Sequence, residues 1–215
     1  MSRKKFIAIA VTAIVAAIAG TLFGHALVKS FRSPPAPTLA SATLLDARPL
    51  PPFSLVDHEN RAFTNADLAG QWSFLFFGFT NCPDVCPSTL TLLAQVEKAL
   101  AQRGEAQRPR VVLISVDPKR DTPEQLSKYV TFFSPDFVGL TGSQEAIDEL
   151  TRQLGVPVAI TPDDTGGYSV DHWAGIFLVD PAGALRALFS APHAAASITE
   201  DYVRIVNSSS HASDG

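Results

Sequence analysis

Hydrophobic and polar positions alternate with a different period in each part of this 215-residue chain, and each change of period marks an element. The first apolar stretch, Phe6 to Val28, reads "FIAIAVTAIVAAIAGTLFGHALV", with Arg3-Lys4-Lys5 before it and Lys29 after it. About 20 apolar residues span a bilayer as a helix, so this run predicts a single N-terminal transmembrane helix. Small residues between Gly20 and Ala26 also suit a cleaved leader. "SPPAPTLASAT" (33–43) has no period and reads as an extended tether. From about Leu50 the pattern becomes strand and helix in turn. "FSLVD" (53–57) and "RAFT" (61–64) flank His58-Glu59-Asn60 as a hairpin. "WSFLFFGF" (72–79) is continuously apolar and too short for a helix, which predicts a strand buried on both faces.

Leu93, Val96 and Leu100 are spaced for one buried helical face, and "RVVLISVD" (110–117) is a second buried strand. Thr122 is placed as an N-cap, with Pro123 at the first helical position and Gln125 three after the cap; this helix runs to about Phe133. "FVGLTG" (137–142) is a short strand, and 143–154 a helix closed by Gly155. "YSVD" (168–171), "AGIFLVD" (174–180) and "ALRALFS" (184–190) are strand-like, and Ser197 caps a last helix to about Val206. Strand–helix alternation ending in a hairpin and a closing helix predicts an α/β, thioredoxin-like domain. Its sheet is mixed and central, flanked by helices, with an N-terminal β-hairpin extension. The expected organisation is an anchor at 1–32, a Pro/Ala/Ser-rich linker at 33–47, the folded domain at 48–207 and a disordered tail at 208–215.

Charge sharpens this picture. Arg3, Lys4, Lys5, Lys29 and Arg32 face no acid in the first 33 residues, so the rest of the chain holds 12 basic against 21 acidic residues. An acidic body argues against a nucleic-acid partner. The basic residues before the apolar run favour a cytoplasmic N-terminus with the domain outside, and bacterial export is the simplest address: a single-pass protein of the inner membrane, its domain in the periplasm.

The only two cysteines, Cys82 and Cys86, lie in "FFGFTNCPDVCPSTL" (76–90), each followed by proline. A structural disulfide is the common use of two cysteines in an exported domain. Here it would close a very short loop in a domain with core enough to stand without it. The end of a buried strand and the start of a helix is where thiols are placed to react. If both lay on the helix, their four-residue spacing would put them on one face, where two thiolates can share a metal ion. Soft thiolates select Cu(I) or zinc, and an imidazole as third ligand also accepts Cu(II). His25 falls in the apolar run and His211 in the tail, while His58 and His193 read as ordinary turn and loop residues. His172, entering a strand in "SVDHWAGIFLVDPAG", is the candidate third ligand. Among its neighbours, Asp171 could orient the imidazole only against the alternation of a strand, in which adjacent residues face opposite ways; Trp173 suits core packing or a lid, and Asp84 the helix N-terminus. "DPKRD" (117–121) reads as a solvated loop, with a docking surface as the alternative.

"FGFTNCPDVCPSTL", "ISVDPKRDTPEQLSKYV" with "FVGLTG", and "YSVDHWAGIFLVDPAG" together resemble the signature blocks of the SCO/SenC family of copper-binding assembly proteins, in the family's order. The resemblance implies a thioredoxin-like fold used for copper, Cu(I) or Cu(II), with Cys82, Cys86 and His172 as ligands. It also implies a role in assembling the copper-A centre of cytochrome c oxidase. The implied partners are the copper-A subunit of that oxidase and an upstream copper donor protein. The competing reading is an enzyme, a thiol–disulfide oxidoreductase that uses Cys82 and Cys86 as a redox pair to keep the oxidase cysteines reduced. A peroxidase of the same fold is the weakest option, since its reactive cysteine ordinarily stands alone.

Overall fold

The computed structural model describes residues 17–18, 20–21, 38–163 and 166–213. The expected membrane helix falls outside these residues except for four positions, and among the described residues no helix is long and apolar enough to cross a membrane. The chain separates into Met1–Pro37 and Thr38–Gly215, and only the second is described further.

Its centre is β4 (Ser73–Gly78), whose six residues are all buried. Parallel to it run β5 (Arg110–Ser115) and, beyond that, β6 (Val138–Thr141). On the other side β9 (Ile176–Val179), β10 (Ala184–Phe189) and β1 (Ala42–Pro49) follow, each antiparallel to its neighbour. The hairpin β2 (Ser54–Asp57) and β3 (Ala62–Thr64) completes the far edge by pairing antiparallel to β6. The mixed eight-stranded order is β1-β10-β9-β4-β5-β6-β2-β3. A separate two-stranded ribbon is made by β7 (Val158–Pro162) and β8 (Tyr168–His172). A strand with neighbours on both edges and layers on both faces must be apolar throughout, which is why Phe74, Leu75, Phe76 and Phe77 sit at 1% exposure or less.

Helix α1 (Val85–Gln102) buries Leu90, Leu93, Val96 and Leu100 on one face. In α2 (Pro123–Phe133) the Thr122 hydroxyl accepts the Gln125 N–H and Pro123 opens the helix, as the sequence pattern predicts. Ser143 caps α3 (Gln144–Leu154), and Gly155 ends it at φ 69°, a left-handed conformation that glycine adopts without strain. The last helix, α4 (Ala195–Ser213), packs against α1.

Three expectations change. The stretch 33–47 contains the start of β1, which pairs with β10 from Ala42 onward. Its burial is mostly exposed, so no apolar alternation announces it. What fixes it is remote: the buried carboxylate of Asp201 accepts the N–H groups of Ala40, Ser41 and Ala42 at 2.7–3.1 Å. Strand β7 is likewise mostly exposed, and no apolar alternation announces it either. Finally, α4 continues beyond Val206 into the stretch expected to be a disordered tail, and the Ser209 hydroxyl there accepts from Arg186 at 3.3 Å.

Candidate metal centre

Cys82 lies in the turn that leaves β4, its N–H donating to the Phe79 carbonyl at 3.3 Å. Cys86 is the second residue of α1. The thiols therefore do not share a helical face, as the four-residue spacing suggested. They meet because the turn precedes the helix. The first amides of a helix lack intrahelical acceptors, and Asp84, at the N-cap, makes no side-chain capping bond. The Cys82 sulfur fills that role, accepting the Cys86 N–H at 3.4 Å.

Cys86 is completely buried, and burial pushes its thiol up, against the pull of the Phe79 backbone. Room for its sulfur exists because residue 78 has no side chain: a Cβ on Gly78 would stand 2.8 Å from Cys86 Sγ. His172 Nε2 stands 3.2 Å from the same sulfur. The other ring nitrogen, Nδ1, faces the Trp173 carbonyl at 3.1 Å. A carbonyl only accepts, so Nδ1 carries the proton and Nε2 presents its lone pair to the sulfur. Burial holds the imidazole below its ordinary range, outweighing the Trp173 carbonyl and the charge of Asp171. Edge-on contacts with Phe76 (5.9 Å) and Phe79 (5.7 Å) fix the ring plane. The ligand atoms of Cys82, Cys86 and His172 all lie within 4.8 Å of one another. Two sulfurs and a neutral imidazole make a donor set suited to copper or zinc.

The neighbours sort themselves. Asp171 is exposed, and the orienting contact comes instead from the Trp173 carbonyl. The Trp173 ring packs against Phe177 at 5.7 Å. His58 Nδ1 accepts the Gly139 N–H at 3.1 Å, and His193 Nε2 donates to the Ala174 carbonyl at 2.7 Å, so neither joins the thiols.

The "DPKRD" loop is not the solvated loop its charges suggest: Asp117 and Asp121 are 1% and 0% exposed. Asp121 accepts the Thr80 N–H (3.0 Å), the Thr80 hydroxyl (2.6 Å) and the Ser115 hydroxyl (2.6 Å). Burial nevertheless pushes its carboxyl up against these donors. Asp117 accepts from Tyr168 OH at 2.7 Å and from Arg120 Nε. The parallel register Gly78↔Ser115 brings the ends of β4 and β5 together, and with them the thiol turn and this loop. Two acids directly after a buried parallel strand, at the carboxyl end where sites collect, were the signal available.

Comparison with known proteins follows the same lines. The SCO1/SenC family model matches residues 42–207. A mitochondrial SCO2 homolog of Bos taurus is 40% identical over 71% of this chain and 58% of its own length. The chain spans 60% of the length of a Mus musculus SCO2 homolog and 46% of that of an Arabidopsis thaliana SCO1 homolog. Arabidopsis thaliana ScoI, solved with copper bound, superposes with a TM-score of 0.69 at 35% identity, over 73% of this chain and 96% of that one. BsSco, described as a member of the Sco family of cytochrome c oxidase assembly proteins with a disulfide switch, has a TM-score of 0.60 at 25% identity, over 78% of this chain and 96% of its own.

Proposed function

Because the chain belongs to the SCO1/SenC family, we propose that it carries copper on Cys82, Cys86 and His172 and assists assembly of the copper-A centre of cytochrome c oxidase. The observation that carries the reading is the convergence of two sulfurs with a neutral imidazole whose lone pair faces inward. The thiolates would hold Cu(I), and the imidazole would extend the set to Cu(II). His172 arrives already oriented and deprotonated at Nε2, so it binds without paying for rotation or proton loss. Copper is the cargo, and the half-exposed Cys82 is the ligand through which a partner, either a donor protein or the oxidase subunit, would reach it. We place the domain on the periplasmic side of a bacterial inner membrane, held by 6–28 as an uncleaved anchor. Fusion reporters after residue 45 should then report an extracytoplasmic site with the protein in the membrane fraction. A soluble, shortened form would show a cleaved leader instead.

A second reading rests on the Cys86 N–H that Cys82 accepts and on the 3.2 Å approach of His172 to Cys86. In a dithiol reductase, Cys82 would attack a partner disulfide, and Cys86 would resolve the mixed disulfide. Two electrons pass to the partner sulfurs. The Cys86 proton needs an acceptor, and His172 Nε2 is within reach of it. Both readings therefore use the histidine, and the pair His172→Ala and His172→Met separates them. If copper transfer is the task, His172→Ala should lose more than about tenfold in copper affinity, since even outer-shell losses reach that size, and oxidase activity should fall with it. His172→Met, which supplies a soft thioether, should keep Cu(I) binding and much of the oxidase activity. If thiol reduction is the task, neither alanine nor methionine takes the proton, and the two variants should fail alike.

A further inference from the structure

The ribbon that carries His172 is not part of the sheet that carries the cysteines: β7 and β8 pair with each other in a sheet of their own. Through 173–175 the ribbon runs into β9, whose Ile176 pairs with Phe76, so the chain brings His172 near the thiol turn. No ladder bonds fix the ribbon itself there, and side chains complete its placement. At the ribbon's open end the Trp173 N–H donates to the Pro157 carbonyl at 3.2 Å, which closes the ribbon on itself. The buried side chain of Val170 adds apolar contact without direction. Directional contacts come from the Asp117–Asp121 loop. Tyr168, at the start of the strand that ends in His172, donates its hydroxyl to Asp117 at 2.7 Å. Arg120 reaches the Tyr168 carbonyl at 3.4 Å, and its guanidinium lies 4.1 Å over the Tyr168 ring. The same loop grips the thiol side. Asp121 holds the amide and hydroxyl of Thr80, two residues before Cys82, and Arg120 stands 5.8 Å over the ring of Phe79.

We propose that this loop is a clamp that sets the spacing between the thiol turn and the His172 ribbon, so that Asp117, Arg120, Asp121 and Tyr168 are positioning residues for the third ligand. The inference rests on the copper reading above. Its consequence is selective. The two thiolates carry most of the Cu(I) affinity and tolerate a displaced third ligand, whereas Cu(II) depends on the imidazole. Loosening the clamp on the ribbon side therefore weakens Cu(II) binding and spares Cu(I). A role confined to folding would lower both affinities together. Tyr168→Phe is the mildest probe because it removes one hydroxyl and leaves Asp117 paired with Arg120.

The test uses the full-length protein carrying Tyr168→Phe or Asp117→Asn, with Lys119→Ala as control. Lys119 is exposed in the same loop. Each is titrated with Cu(I) and Cu(II) salts, and thermal unfolding is followed alongside. Tyr168→Phe should lower Cu(II) affinity about tenfold, the size of an outer-shell loss, and weaken the imidazole nitrogen coupling in the electron paramagnetic resonance spectrum. Cu(I) affinity should stay near the parent value. A second readout needs no copper: in the reduced protein, alkylation of the buried Cys86 by iodoacetamide should accelerate in both ribbon-side variants and not in Lys119→Ala. Equal loss of Cu(I) and Cu(II), or no change in either, overturns the clamp. Should the parent itself bind no copper, the copper reading fails, and the alkylation rates alone then support or overturn the clamp.

Discussion

Replacing Gly78 by alanine tests how the site is built into the sheet. A Cβ at this position would stand 2.8 Å from Cys86 Sγ, 3.1 Å from Leu113 Cδ1 and 3.1 Å from Phe76 Cε1. All three neighbours are fully buried, and Leu113 and Phe76 are locked between paired strands. Overpacking a dense core by one methyl costs about 1–3 kcal/mol. In a domain of this size each kcal/mol moves the melting temperature by about 2–4 °C, so Gly78→Ala should melt about 2–12 °C below the parent. The sulfur, on the first turn of α1, yields before the two core side chains. Its 3.2 Å approach to His172 Nε2 is then lost, and copper affinity should fall by at least tenfold, or about 1.4 kcal/mol. Gly139→Ala is the matched control. Its Cβ would press on Leu126 Cβ at 3.0 Å and Val130 Cγ1 at 3.2 Å, under α2 and away from the thiols. It should cost comparable stability and leave copper binding alone. Denaturation paired with copper competition titration, run where all three proteins are folded, decides the point. Parent-like copper affinity in Gly78→Ala, or equal losses in both variants, would refute the reasoning.

Two further expectations follow from ionisation. Burial keeps the Cys86 thiol protonated near neutrality, so copper must displace its proton, and apparent affinity should rise with pH across 6–8. His172, held low by burial, competes for protons less than an ordinary imidazole would; a pH-independent affinity would contradict the assigned state of Cys86. At the edge of the sheet, burial raises the Asp201 carboxyl, but the N–H groups of Ala40, Ser41 and Ala42 outweigh it and leave it lowered. A lowered carboxylate stabilises the fold above its unfolded value and loses that contribution as pH falls through its folded value. Asp201→Asn should therefore destabilise the protein at neutral pH and speed amide exchange across 42–49, and its difference from the parent should shrink as pH falls below about 4. Unchanged exchange there would show that β1 holds without the carboxylate.

Legibility in the sequence tracked burial. Strands β4, β5 and β9 are apolar through their centres because layers cover both faces, and such runs show without any partner. The capping residues Thr122 and Ser143 and the terminating Gly155 act within one turn of their own position, so they too could be read locally. Strands β1 and β7 are mostly exposed, and their reasons lie elsewhere in the chain: β1 is held by a carboxylate about 160 residues away in sequence. Local pattern carries no record of such a tie. The acids of "DPKRD" misled for the opposite reason. Charge in a loop ordinarily means solvent, but Asp117 and Asp121 find their donors on Tyr168, Arg120, Thr80 and Ser115, in three separate segments.

The histidine shows where residue type stops and geometry begins. Two cysteines and a histidine announce a soft metal site in the sequence, and on that basis His172 has no work in a thiol reductase. In the second reading proposed above it would have some. Its Nε2 lone pair points at the one thiol that burial keeps protonated, at a distance where a proton can move. A nitrogen that accepts a proton from sulfur and a nitrogen that accepts a metal ion use the same lone pair, so the two chemistries exclude each other at any instant. Deprotonation of Cys86 through His172 would leave an imidazolium that cannot ligate. Metal capture must instead send the Cys86 proton to solvent while Nε2 stays free. Cys86 has no exposed surface, so that proton leaves by way of the thiol turn or the ribbon. The lone pair is held against Cys86 by the Trp173 carbonyl and the edge contacts of Phe76 and Phe79, and in the clamp proposed above Asp117, Arg120 and Tyr168 set how near the ribbon brings it.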